Sequence, residues 1–101
     1  MASLSSHANV YNSCLRLLRA RGFSLSVDGE VDSEGIILPD SLQWHAAKDG
    51  FTFTSENPIE LLGLAALYAA KQPSSDESYW WVIEGPNVYE ELLDARFDSP
   101  A

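Results

Sequence analysis

Basic residues and cysteine are scarce in this sequence, and each shortage excludes a class of function. Lysine and arginine together number 6, against 15 aspartates and glutamates, so the formal net charge is −9. Nucleic acids and membrane surfaces are bound largely through Lys and Arg, so we expect neither as a partner. The single cysteine, Cys14, has no partner for an intrachain disulfide, which argues against a disulfide scaffold and is compatible with a reducing cytoplasm.

Targeting signals and long hydrophobic runs are also missing. Residues 1–6 contain no Lys or Arg and no apolar segment follows them, so we expect no signal peptide. The longest apolar run, residues 61–70, is about half the length that a membrane-spanning helix needs. With 101 residues, 46% of them hydrophobic, the chain is predicted to form a single domain over residues 1–101.

Two segments in the first two thirds of the chain have clear helix signals. Ser5 or Ser6 is predicted to cap a first helix that runs to about Arg21. Asn57 and Pro58 are typical of the N-cap and the first position of a second helix. This second helix is apolar on nearly all sides, which predicts a central position in the fold or a dimer contact.

The sequence also predicts a stripe of small residues on the second helix, and a third helix near the C-terminal end of the chain. Gly63, Ala66 and Ala70 would form a flat stripe on the second helix, which predicts close contact with another backbone. Asn87 is a candidate cap for a third, amphipathic helix. Three apolar residues of that helix are predicted to face inward: Val88, Leu92 and Leu93.

The strands are predicted from alternation and from one turn. Residues 23–27 alternate apolar side chains with serines, as a half-buried strand does. Asp49 and Gly50 separate two strand-like runs, residues 43–48 and 51–54, and this dipeptide favours a two-residue hairpin. We therefore predict an α+β fold: a small antiparallel sheet of about three strands with helices packed on one face.

Carboxylates recur at every second position after the first strand. Asp28, Glu30, Asp32 and Glu34 lie in an acidic stretch that we interpret mainly as an exposed loop, with a short strand over residues 36–38 as the alternative for its end. If the strand continued through Val31, all four carboxylates would point to one face, with Cα atoms about 7 Å apart. Such a row would repel itself and attract a basic partner, so these four residues are predicted to bind one.

Three consecutive aromatic residues follow a polar linker. Tyr79, Trp80 and Trp81 begin a segment, residues 79–83, that periodicity assigns neither to a strand nor to a helical turn. In an extended chain Trp80 would point away from the other two, so at least one large ring is expected to stay exposed. Because Trp dominates binding hot spots, Trp80 and Trp81 are predicted to contact the partner.

Residues for catalysis or metal binding are not predicted. Cys14 lies in the middle of the first helix, where a thiol behaves as a small hydrophobe, and His7 and His45 are not placed to activate it. Read as a calcium loop that starts at Glu30, the acidic stretch has Ser41 where the bidentate Glu is needed. We therefore predict no catalytic residue, no metal and no cofactor.

Three short segments resemble a known group. WHAAKDG (44–50), NPIELLGL (57–64) and YEELL (89–93) are similar to segments of a group of small, uncharacterised bacterial proteins. They lie between residues 44 and 93, about half of the chain. The resemblance implies a bacterial, cytoplasmic protein and brings no activity with it.

The leading functional hypothesis is a non-enzymatic protein-interaction domain whose acidic surface engages a basic protein partner. An antitoxin-like or immunity-like inhibitor is one example of such a protein. The alternative is a small-molecule-binding protein or minor enzyme with a pocket between the sheet and the second helix. The chain itself is expected to be a monomer or a weak homodimer.

Overall fold

A computed structural model describes residues 2–97, in which a helix, a three-stranded sheet and two further helices follow one another. In chain order the elements are a 3-10 turn (Ala8–Val10), α1 (Tyr11–Ala20), β1 (Ser24–Asp28), a 3-10 turn (Pro39–Ser41), β2 (Gln43–Lys48), β3 (Phe51–Ser55), α2 (Pro58–Lys71) and α3 (Val88–Phe97). Across this part of the chain no helix combines the length and apolarity required to span a membrane.

The sheet is a three-stranded antiparallel meander with β2 in the centre. This confirms the predicted α+β class. Asp49 and Gly50 connect β2 to β3 with φ angles of 52° and 85°. Both angles are positive, as the tight primed hairpin turns require, so the predicted hairpin is confirmed.

The sheet has one apolar and one polar face because successive side chains point to opposite sides. On the inner face Leu25, Ala46 and Phe53 stand opposite one another across the three strands. On the outer face His45 stands opposite Thr54. Both α1 and α2 pack on the inner face, as the predicted architecture requires.

The core is made where α1 and α2 meet the aromatic residues of the sheet. Leu18 of α1 and Leu61 of α2 are 0% exposed, and Ala65 is 1% exposed. Full burial of a leucine side chain stabilises a fold by roughly 1.5–3 kcal/mol, so these two leucines are major contributors. The buried hydrophobic cluster consists of Leu18, Phe23, Ala46, Phe51, Phe53, Leu61 and Ala65.

The helix starts agree with the sequence signals in α2 and differ in α1. The side chain of Asn57 accepts a hydrogen bond from the Glu60 N–H at 2.9 Å, which confirms the predicted cap of α2. In front of α1, His7 is the capping residue, and its Nδ1 accepts from the Asn9 N–H at 3.3 Å. The predicted cap at Ser5 or Ser6 is therefore wrong, because a 3-10 turn precedes α1.

Two predicted contacts are absent from the described chain, residues 2–97. The stripe at Gly63, Ala66 and Ala70 is exposed, and a Cβ added at Gly63 would meet nothing within 4 Å. The predicted inward face of α3 is also wrong, since no residue of that helix is buried. Local patterns predict that a helix forms, but they do not determine which surface covers it.

Candidate interaction surface

Asp28 ends β1 and is held on the outer face of the sheet. Its carboxylate lies 2.8 Å from Nε2 of His45, whose Nδ1 lies 3.0 Å from the Thr54 hydroxyl. Because β1 stops here, the strand does not continue through Val31. Asp28 therefore belongs to a polar row across the sheet, and the predicted single face of four carboxylates is wrong.

Residues 29–38 fold back on themselves as a short hairpin, which we call the acidic hairpin. Its arms are joined by an antiparallel bridge between Val31 and Ile37. The Asp32 carboxylate accepts hydrogen bonds from the backbone N–H groups of Glu34, at 2.9 Å, and Ile36, at 3.0 Å. Asp32 thus acts as a structural acceptor inside the turn, whereas Glu34 is left exposed at the tip.

The acidic hairpin also exposes apolar side chains, which were not among the binding residues predicted from the sequence. Four large aliphatic residues there are between 40% and 59% exposed: Val31, Ile36, Ile37 and Leu38. Apolar side chains gathered on a surface typically mark a binding site. The available signal was the run of three aliphatic residues, 36–38, inside an otherwise acidic loop.

The aromatic segment divides its rings between the core and the surface. Residues 79–81 form a turn, so the segment is neither strand nor helix, and Tyr79 has a φ of 59°. Trp80 packs at ring-centroid distances of 5.5 Å from Phe51 and 6.2 Å from Tyr68. Trp81 is 46% exposed. The expectation that one large ring stays exposed is met by Trp81, while Trp80 packs mainly in the core.

The six predicted partner-binding residues do not form one patch. Asp28 and the acidic hairpin lie at the end of the sheet where Asp28 pairs with Gln43. Trp81 and Gly50 line the same cavity, which lies at the opposite end of the sheet, beside the β2–β3 turn. The six residues of β2 separate these ends by about 17 Å. The acids and the tryptophans are thus two separate surfaces, and their binding to a partner stays a prediction.

The chain after Trp81 carries a second apolar and acidic surface, which we call the C-terminal arm, residues 82–97. Every residue of it is exposed, including the ten residues of α3. At helical spacing Val88, Leu92, Tyr89 and Leu93 share one side of α3, and Arg96 lies among them. Phe97 lies across the helix from Val88. The opposite side is acidic and carries Glu90, Glu91 and Asp94.

The titratable residues away from these surfaces include Tyr68 and Cys14. Partial burial raises the pKa of the Tyr68 phenol, and its hydrogen bond to the Asp49 carboxylate, at 3.2 Å, adds to the effect. Cys14 is buried on α1. Within residues 2–97, no group of three His, Cys, Asp or Glu side chains is arranged to hold a metal ion.

Comparison with known proteins identified no relative of the chain. No protein-family model matches the chain, and neither does any curated protein or solved structure.

Proposed function

We propose that the chain is a non-enzymatic, cytoplasmic interaction domain that engages a basic protein partner through the C-terminal arm. The observation that carries the proposal is the apolar side of α3, on which Leu92 is 65% exposed and Tyr89 is 76% exposed. An inhibitor of antitoxin or immunity type is one example of such a protein.

Because α3 is short, we expect its apolar side to require another surface to pack against. It has ten residues, whereas isolated helices shorter than about 12–15 residues are marginal in water. Most helices in proteins are stabilised by the packing of an apolar face. A partner groove that receives Leu92 and its neighbours would supply this packing.

The charge of the arm indicates the chemistry of that partner. Glu90, Glu91 and Asp94 form the other side of α3, and Arg96, the one basic residue of this helix, lies among its apolar residues. The whole chain has a net charge of −9. A groove rimmed by Lys or Arg would therefore be attracted at long range and would match the helix at contact.

The test is to place a photo-cross-linking phenylalanine analogue at Leu92 and to irradiate the full chain in its native host. The same analogue at Ser26, on the outer face of the sheet, is the control. We expect a protein of high isoelectric point to be captured at Leu92 and not at Ser26. The captured protein is then purified and its affinity for the chain is measured.

The affinity measurement decides between this surface and a nonspecific contact. Replacing Leu92 with Glu should weaken binding at least tenfold, because it places a charge in the apolar contact. Ser26→Glu adds the same charge elsewhere and should leave the affinity unchanged. Equal weakening by both variants, or equal cross-linking at both positions, would contradict the proposal.

A further inference from the structure

A cavity of about 310 Å³ lies between β3, α2 and the turn at residues 79–81. Its walls include both indole rings of that turn together with Phe51, Leu64 and Leu67, and Asp76 contributes a carboxylate. A volume of this size falls at the lower end of the range for small-molecule sites. The feature that needs an explanation is the pairing of aromatic walls with one acid.

The two indole rings form a corner of this cavity. Trp80 and Trp81 are nearly perpendicular, with an interplanar angle of 85° and a centroid distance of 5.9 Å. The faces of aromatic rings carry partial negative charge, and Trp attracts a cation most strongly. Because both indole residues line the cavity, one compact cation can contact both of them.

The charge of the lining favours the same kind of ligand. Among the described residues that line the cavity, Asp76 is the one that carries a charge, and it is negative. The net charge of −9 further raises the local concentration of cations near the protein. An anion would meet neither a Lys nor an Arg in this lining.

The apolar walls also distinguish between classes of cation. A primary ammonium or a metal ion loses strong hydration on entry and needs several oxygen atoms in exchange. Apart from Thr52 and Asp76, the described residues that line the cavity contribute no side-chain oxygen. An alkylated ammonium is weakly hydrated and presents methyl groups, which pack on aromatic and aliphatic walls.

We propose that this cavity binds a small organic cation through an alkylated ammonium group, which Trp80, Trp81 and Asp76 recognise together. The site lies outside the C-terminal arm, so it does not depend on the proposed protein partner.

The first experiment compares choline with its neutral carbon isostere, 3,3-dimethylbutan-1-ol, by NMR titration of the indole N–H signals. The chain has 3 tryptophans, and Trp44 lies outside the cavity, so its signal is an internal reference. We expect choline to shift the signals of Trp80 and Trp81, and the neutral isostere to bind about tenfold more weakly. Equal binding of the two probes, or no shift with choline, would overturn the proposal.

The second experiment assigns the binding to named residues. Trp81 is half exposed, so Trp81→Ala should keep the fold, which circular dichroism checks, while weakening choline binding about tenfold. Trp81→Phe should retain part of the affinity. Asp76→Asn should weaken binding more than Glu77→Gln, which removes a neighbouring charge that does not line the cavity. Equal effects of Asp76→Asn and Glu77→Gln would mean that the overall negative charge of the chain, rather than Asp76, attracts choline. That result would overturn the assignment.

A third probe identifies the source of the ammonium group. A short peptide that contains trimethyl-lysine carries the same group on a protein side chain. Weaker binding of the peptide than of choline supports a free small molecule. Tighter binding of the peptide would overturn that part of the proposal.

Discussion

Tyr68 joins the aromatic core to the turn between β2 and β3. Its ring lies 5.1 Å from that of Phe51, and its hydroxyl donates to the Asp49 carboxylate. The phenol therefore holds its proton more tightly in the folded chain than in the unfolded chain, where the pKa is about 10. A raised pKa of this kind links the stability of the fold to pH.

The sign of this linkage gives a testable result for Tyr68. Above about pH 10 the unfolded chain loses the Tyr68 proton first, so the free energy of unfolding should fall as pH rises through the folded pKa. The variant Tyr68→Phe should show a smaller fall. Urea midpoints measured across this range test it, with Tyr89→Phe, an exposed tyrosine on α3, as the control. Identical pH profiles for both variants would contradict the assignment.

Gly63 is a residue where the structure reverses the expectation from sequence. A Cβ there would meet nothing within 4 Å, and the position is inside α2. Gly63→Ala should therefore stabilise the chain by about 0.5–1 kcal/mol, because Ala is the better helix former. Gly35→Ala also enters open space but at a φ of +82°, so it should destabilise. Chemical denaturation of both variants measures the contrast, and a loss of stability at Gly63 would mean that a second copy covers the stripe.

At the scale of elements, the acidic hairpin is stabilised by its own hydrogen bonds. Asp32→Ala removes the acceptor of the Glu34 and Ile36 N–H groups, so hydrogen exchange at both amides should accelerate. Glu34→Gln removes a charge and no hydrogen bond of the turn, so exchange should stay unchanged. Acceleration in both variants would indicate that charge, rather than the Asp32 acceptor, orders the hairpin.

The third helix should be separable from the rest of the fold. No residue of α3 is buried, so its removal exposes no core side chain. A chain that ends at Asn87 should unfold within about 0.5 kcal/mol of the full chain in urea, the range of surface changes. A larger loss would show that α3 packs on the domain in solution.

Local elements were predictable from the sequence, and contacts between distant segments were not. Asn57 and the Asp49-Gly50 pair act on neighbours within a few residues, so the α2 cap and the hairpin were predicted correctly. The outward face of α3 and the packing of Trp80 against Phe51 depend on segments far apart in the chain. For the same reason Asp76 of the cavity, which lies in a polar linker, had no signal in the sequence.

The whole molecule is more extended than a compact domain of its length. Its radius of gyration is 17.3 Å and its extents are 55 × 39 × 30 Å, whereas a compact domain of 100 residues has a radius of about 13 Å. The acidic hairpin and the C-terminal arm are two exposed surfaces, and the C-terminal arm is the one that we propose binds a partner. Light scattering over a dilution series measures whether a second copy of this chain is that partner.

Electrostatic steering is a property of the whole molecule because it depends on the sum of its charges. Changing Asp28, Glu30, Asp32 and Glu34 together to Asn or Gln keeps a side-chain acceptor at Asp32 and removes four negative charges. Once a partner is identified by cross-linking, its association rate should fall and lose much of its salt dependence. An unchanged rate and salt response would exclude both Asp28 and the acidic hairpin from recognition.

The meander order of the sheet has a consequence for how fast the chain folds. β1, β2 and β3 pair only with their neighbours along the sequence, and β2 and β3 are joined by two residues. Short loops close with little loss of chain entropy, so a β2–β3 hairpin should form within about 1–10 μs. Docking of α2, which begins three residues after Ser55, would then bury Leu61 on a sheet that is already forming. Substitutions in β2 and β3 should therefore slow folding, whereas those in α3 should leave the folding rate unchanged.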